Sequence, residues 1–185
     1  MSDSVPRTGF DWDRVTALSA LIVSFVAVGV AAYTAQLQRQ QVRAQVWPRL
    51  VFYNAGSLAE FHVANKGNGP AIVRSVRVLV DGKPATNWNQ VYRQLGLPAD
   101  ADLPYSTVNG AVLAPGDDFM YHRPLDKAQF AVLRDLGQKR WSLQACYCSA
   151  LDECWIAQAH PRTAADVSRE VSSCPTPDPA REFEN

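Results

Sequence analysis

Two different rhythms of apolar residues divide this chain. The first is a continuous run, "VTALSALIVSFVAVGVAAY" from Val15 to Tyr33, and no charge appears until Arg39. About 19 to 21 helical residues span roughly 30 Å, the thickness of a bilayer's hydrocarbon core. The run is apolar on every face, which suits lipid better than the one-sided core of a soluble domain. Trp12 and Tyr33 stand at its ends, where amphipathic rings prefer the headgroup level. The pattern predicts an N-terminal tail over 1–14 and a transmembrane helix over 15–35. A cleaved signal peptide is the alternative, because "GVAAYT" offers small residues suited to a cleavage site. The run is long for such a peptide, and its leader is no more basic than acidic. Arg7 and Arg14 on one flank against Arg39, Arg43 and Arg49 on the other leave the orientation open.

Strong helix formers in "TAQLQRQQVRAQV" continue the helix as a stalk over 36–47, until the proline of "WPRL" stops it. Beyond Arg49 the apolar period falls to two. "SLAEFHVAN" puts Ala59, Phe61 and Val63 on one face and Glu60 and His62 on the other; "IVRSVRVLVDG" sends Val76, Val78 and Val80 inward and Arg77 outward. "KGNGPA" and "DGKP" supply turns. "VLAPGDDFMYHRPL" reads as strand, turn and strand, and "RWSLQACYCS" with "CWIAQA" as a last strand pair. Two short helices interrupt the strands: "NWNQVYRQLG", ending at Gly96, and "LDKAQFAVLRDLG", capped by Asp126 and stopped by Gly137. Short strands separated by Gly/Pro turns predict a mainly β fold. The expected form is an antiparallel β-sandwich (Ig-like) over 48–160, with a barrel as the variant. Residues 161–185 are proline-rich and polar, which predicts a disordered tail.

Composition narrows the function classes. The 18 basic and 18 acidic residues cancel, and no basic cluster appears, so nucleic acid is not an expected partner. The expected partners are the lipid bilayer and an unknown protein. Metalloprotease, nucleophile-elbow and phosphate-loop patterns are absent from the sequence. Asp100, Asp102, Asp117 and Asp118 fall in loops as turn-capping residues, without an EF-hand pattern. His62 and His122 fall on expected solvent faces, and His160 at a strand end. No catalytic, cofactor-binding or metal residues are therefore assigned, and an enzyme is not expected.

Within the apolar run, Thr16, Ala20, Ser24, Ala27, Ala31 and Ala35 share one arc of about 100° on a 3.6-residue helix. Small residues on one face let helices approach closely in lipid. Such residues are also common in membrane spans, so the stripe reads either as composition or as a self-association face that builds a homo-oligomer.

Three of the four cysteines lie in "ACYCSALDECW". The pleat of "WSLQACYC" places Trp141, Leu143, Ala145 and Tyr147 on one face, and Cys146 and Cys148 on the other, polar face. If "SALDE" is the hairpin loop, Cys148 faces Cys154 and Tyr147 faces Trp155. Cys146 is then free to reach Cys174 in the tail. Two disulfides suit an even cysteine count in an oxidising compartment. Two other readings stay open. Cys146, Cys148 and Cys154 with Cys174 or His160 could ligate zinc in a cytoplasm-facing domain, although C-x-C-x5-C is not a common zinc spacing. Free thiols are the third, and a nucleophilic cysteine would need a base that the sequence does not place nearby.

At "WPRLVFYN", "VANKGNGPAIVRSVRVLVDG", "LAPGDDF" and "CYCSALDECW" the chain resembles uncharacterised bacterial single-pass membrane proteins, in which an N-terminal transmembrane helix precedes a small β-rich soluble domain. The resemblance covers most of residues 15 to 160 and brings no activity or catalytic residues. Together with oxidised cysteines it implies the bacterial inner membrane, with the soluble domain in the periplasm. The expected function is protein–protein interaction in the envelope. A membrane-acting effector whose helix self-associates is the rival from another class.

Overall fold

A computed structural model describes residues 12–99, 103–137, 139–161 and 163–184. Asp100 and Asp102 lie outside the described residues. The chain divides into two compact units, 1–42 and 43–185.

The first unit is built on α1 (Trp12–Gln45), a helix of 34 residues in which none is buried. By length and composition it can cross a membrane. It runs through the expected stalk and stops at Gln45, just ahead of Pro48. Its hydroxyls are satisfied within the helix itself: Ser24 Oγ donates to the Ala20 carbonyl and Thr34 Oγ1 to the Val30 carbonyl, each at 2.8 Å. Such bonds remove the cost of an unpaired hydroxyl in hydrocarbon.

The second unit is mainly β, with two antiparallel sheets. One has three strands in the order β1 (Leu50–Ala55), β2 (Glu60–Asn65), β6 (Asp118–His122). The other runs β4 (Lys83–Ala85), β3 (Ala71–Val80), β7 (Trp141–Cys148), β8 (Cys154–Gln158), β9 (Ser168–Val171), with the short β5 (Val112–Leu113) also paired to β3. Residues of both sheets join one core: Leu50, Phe61 and Val63 from the first, and Val76, Val78, Leu143 and Trp141 from the second. The expected alternation holds along β3, where Val76, Val78 and Val80 are buried opposite Ala145, Leu143 and Trp141 of β7. The turn after β3 uses Asp81 and Gly82, both at positive φ (49° and 79°), which matches the right-handed twist of a tight hairpin.

Within the second unit, the segment Val46–Arg49 is held by "KGNG". The buried Asn65 side chain spends its full hydrogen-bonding capacity there. Nδ2 donates to the Gly69 and Leu113 carbonyls, and Oδ1 accepts from the Arg49 and Gly67 amides. The backbone of Val46–Arg49 passes so close that a Cβ at Gly67 or Gly69 would collide with it.

α2 (Trp88–Leu95) and α3 (Lys127–Gly137) occupy the two expected short-helix positions. Asn87 caps the first by accepting the Gln90 amide, and Gly96 ends it at φ 75°. Asp126 Oδ1 accepts the Gln129 amide at the start of the second. The strand–turn–strand reading around Pro115 and Gly116 holds, and the turn carries the chain from one sheet to the other: β5 joins β3 and β6 joins β2. One expectation fails. The end of the chain is not a disordered tail. It forms α4 (Ala164–Val167) and β9, then folds back to bury Glu182 and Phe183. Proline content is a poor guide where a disulfide, a buried carboxylate and an aromatic ring each fix the segment.

Candidate functional site

The four sulfurs come together in one place. The β7–β8 register sets Cys148 opposite Cys154 and Tyr147 opposite Trp155, whose rings stack at 5.9 Å. Cys148 is bonded to Cys154, with Cα atoms 4.0 Å apart, and Cys146 to Cys174, with Cα atoms 5.6 Å apart. All four cysteines are thereby paired. The sulfur atoms of the two bridges nearly touch: Cys148 Sγ lies 3.7 Å from Cys174 Sγ. The sulfurs of Cys148, Cys154 and Cys174 all fall within 4.8 Å of one another.

One expectation about this face is corrected. Cys146, Cys148 and Cys154 do not face solvent; they are 3%, 4% and 5% exposed. Only Cys174 remains half-exposed. The return of the chain covers the polar side of the sheet, and its charge is compensated there. Glu182, itself buried, accepts from the Ser75 hydroxyl (2.8 Å), the Val76 amide (3.0 Å) and Arg77 Nε (3.2 Å). Phe183 closes the segment by packing edge-on to Trp88, at 5.1 Å between centroids.

The histidines differ most from their sequence reading. His122 is fully buried, not solvated. It stacks on Trp88 with ring centroids 3.8 Å apart and planes at 11°, and its Nε2 is hydrogen-bonded to the Tyr92 hydroxyl at 2.8 Å. Burial pushes its pKa down to about 3 and that of Tyr92 up, which keeps both neutral. Both partners lie on α2, which covers this end of β6; no local pattern in "DFMYH" signals such a cover.

His62 is bound at both ring nitrogens. Nε2 lies 2.7 Å from Glu60 Oε2 and Nδ1 3.0 Å from Asp118 Oδ1. Burial works against its charge, but the two carboxylates outweigh it and raise its pKa. Arg123 Nε donates to Glu60 at 2.8 Å, and the Tyr53 hydroxyl donates to Asp118 at 2.6 Å. The hydrogen bond from His62 holds the Glu60 carboxyl below its usual range, with Arg123 adding to the effect; the bond to Asp118 pushes the Tyr53 phenol up to about 12. The cluster joins Tyr53 of β1, Glu60 and His62 of β2 and Asp118 of β6 through side-chain hydrogen bonds.

His160 lies half-buried at the rim of an open cleft of about 450 Å³ that is also bordered by Asp81, Arg140, Gln158 and Asp166. Its ring packs edge-on to Trp141 at 5.0 Å and so close to Gly137 that any Cβ there would strike it. Burial lowers its pKa. His160 is not brought to the sulfurs. The stripe of Thr16, Ala20, Ser24, Ala27, Ala31 and Ala35 lies exposed along α1.

The chain matches no protein-family model, no curated protein and no solved structure. Sequence reasoning missed the Glu60–His62–Asp118 cluster, because Asp118 joins it only through β2–β6 pairing. It also missed Glu182, whose partners lie more than 100 residues earlier.

Proposed function

We propose that this chain is a single-pass bacterial inner-membrane protein. α1 spans the bilayer with its N-terminal side in the cytoplasm, and the β domain, an Ig-like sandwich of two sheets, stands in the periplasm as a protein-interaction module. The observation that carries this reading is the pairing of all four cysteines in the domain that follows the apolar helix. Disulfides persist where thiols are not kept reduced. Balanced charge gives no reason to invoke nucleic acid. Recognition by such a module falls to the exposed surfaces of its sheets and loops.

Thiol labelling of intact cells, with and without a membrane-impermeant reductant, tests the reading. Cysteines that react only after reduction from outside the inner membrane are the expected result. Four thiols reactive without reductant, or one bound zinc per chain, would place the domain in the cytoplasm. Leakage of a small dye on overexpression, abolished by Leu at both Ala20 and Ser24, would instead favour an effector acting on the bilayer.

A further inference from the structure

The geometry points to a thiol–disulfide exchange centre in which Cys174 moves its bond from Cys146 to Cys148 when a dithiol reductant acts on it. Two disulfides that merely brace a fold need not meet. Here Cys174 Sγ lies 3.7 Å from Cys148 Sγ, a sulfur to which it is not bonded. Cys146 and Cys148 are alternate residues of β7, about 6 to 7 Å apart along one face of the strand. Cys174 therefore has two anchor points on one strand, and it touches both.

Accessibility gives the order of events. Cys174 is half-exposed, whereas the other three cysteines are buried. A thiolate of the incoming dithiol attacks Cys174 Sγ, forms a mixed disulfide with it and expels Cys146 as a thiolate. The second thiol of the same reductant attacks the mixed disulfide and leaves as a cyclic or internal disulfide, releasing Cys174 as a thiolate. Cys174 then attacks Cys148 Sγ; the Cys148–Cys174 bond forms, the Cys148–Cys154 bond breaks, and Cys154 leaves as a thiolate. Solvent protonates the two displaced thiolates. The dithiol has lost two electrons and two protons, and the domain has gained them as the Cys146 and Cys154 thiols while keeping one disulfide. The Asp152 carbonyl oxygen, 3.4 Å from Cys154 Sγ, is in place to accept the new S–H.

The consequence is mechanical as well as chemical. The segment from Cys174 to Phe183 is held at its far end by Glu182 on Ser75, Val76 and Arg77. Moving its near anchor by one pleat of β7 shifts this strap without releasing it. At the same time it removes the bridge across the β7–β8 hairpin. The loop 149–153 loses its covalent closure while the chain end remains attached, so the redox state of the partner is written into the hairpin.

The test is disulfide mapping of the full chain in detergent. It is treated with limiting dithiothreitol under native conditions, quenched in acid, alkylated and digested. The expected one-disulfide species carries the Cys148–Cys174 bridge, with Cys146 and Cys154 alkylated. The same treatment in denaturant is the reference. A native species holding only Cys148–Cys154 or only Cys146–Cys174 would overturn the proposal, as would a Cys148–Cys174 bridge no more abundant than in denaturant. Cys146→Ser asks the question without any reductant. Cys174 is then a free thiol beside the intact Cys148–Cys154 bond, and alkylation should move in part from Cys174 to Cys154 as the pH is raised towards the thiol pKa. Label confined to Cys174 at every pH would also overturn it. Should that variant fail to fold, the wild-type mapping decides.

Discussion

Acidification should weaken the β domain chiefly through one residue, His122. Its ring is fully buried against Trp88 and hydrogen-bonded to the Tyr92 hydroxyl, and burial lowers its pKa from 6.5 to about 3. A depressed pKa means that the unfolded chain binds a proton that the folded chain excludes. Its contribution is therefore fully present above the unfolded pKa and is lost as pH falls below it. Between pH 7 and pH 5 the unfolded imidazole goes from largely neutral to largely protonated, while the folded one stays neutral. This linkage removes about 2 kcal/mol. His62 acts in the opposite sense: its raised pKa gives stability that is present below the unfolded value and is lost as pH rises. A bulk stability curve mixes the two, with His160 adding to the effect of His122. The difference between wild type and His122→Phe separates them, since every other group cancels. Phenylalanine keeps a ring on Trp88 but leaves the Tyr92 hydroxyl unpaired, a cost of about 1–3 kcal/mol that does not depend on pH in this range. Urea unfolding in detergent, by tryptophan fluorescence at both pH values, should show the wild-type advantage at pH 7 shrinking by about 2 kcal/mol at pH 5. An advantage that is the same at both pH values would refute the reasoning.

Three other outcomes are expected. Cys174→Ser should destabilise more than Cys154→Ser, because the first opens a closure of 28 residues and the second one of 6. Loop entropy puts the costs at about 3.6 and about 2.2 kcal/mol, and thermal unfolding of the two variants checks the order. Phe183→Ala should cost about 3 kcal/mol, as for an aromatic ring removed from a packed core, and limited proteolysis should then cut the chain end first. Arg at both Val23 and Val26 should release the protein from carbonate-washed membranes, since a charge at mid-span costs about 2.5–3.5 kcal/mol on insertion scales; retention in the membrane pellet would count against α1 as a span.

The exchange centre and the returning chain end belong to one construction. The 3.7 Å approach of Cys174 to Cys148 exists because residues 172–184 lie across the sheet, and they lie there because Glu182 and Phe183 are buried at the far end. The Cys148–Cys154 bridge follows from strand register, whereas the Cys146–Cys174 bridge depends on where a distant segment lands.

Local rules set out much of this protein in its sequence. An uncharged run of helix length makes α1, because no local contact competes with its own hydrogen bonds. Period-two valines make β3, Asp81–Gly82 makes its turn, and Asn87, Gly96 and Asp126 bound the short helices, because caps and turns are decided within four residues. The facing of Cys148 and Cys154 is legible for the same reason, once the hairpin loop is placed. Only the tertiary structure decided what covers each face. His122 and Glu60 sit at positions whose pattern reads as solvent-facing, and both are buried, by α2 in the first case and within the His62–Arg123 charge cluster in the second. The chain end reads as disordered by composition, yet a buried carboxylate, a ring and a disulfide hold it. The physical reason is common to these cases: a pleat states which side chains share a face, but whether that face meets water depends on segments remote in sequence.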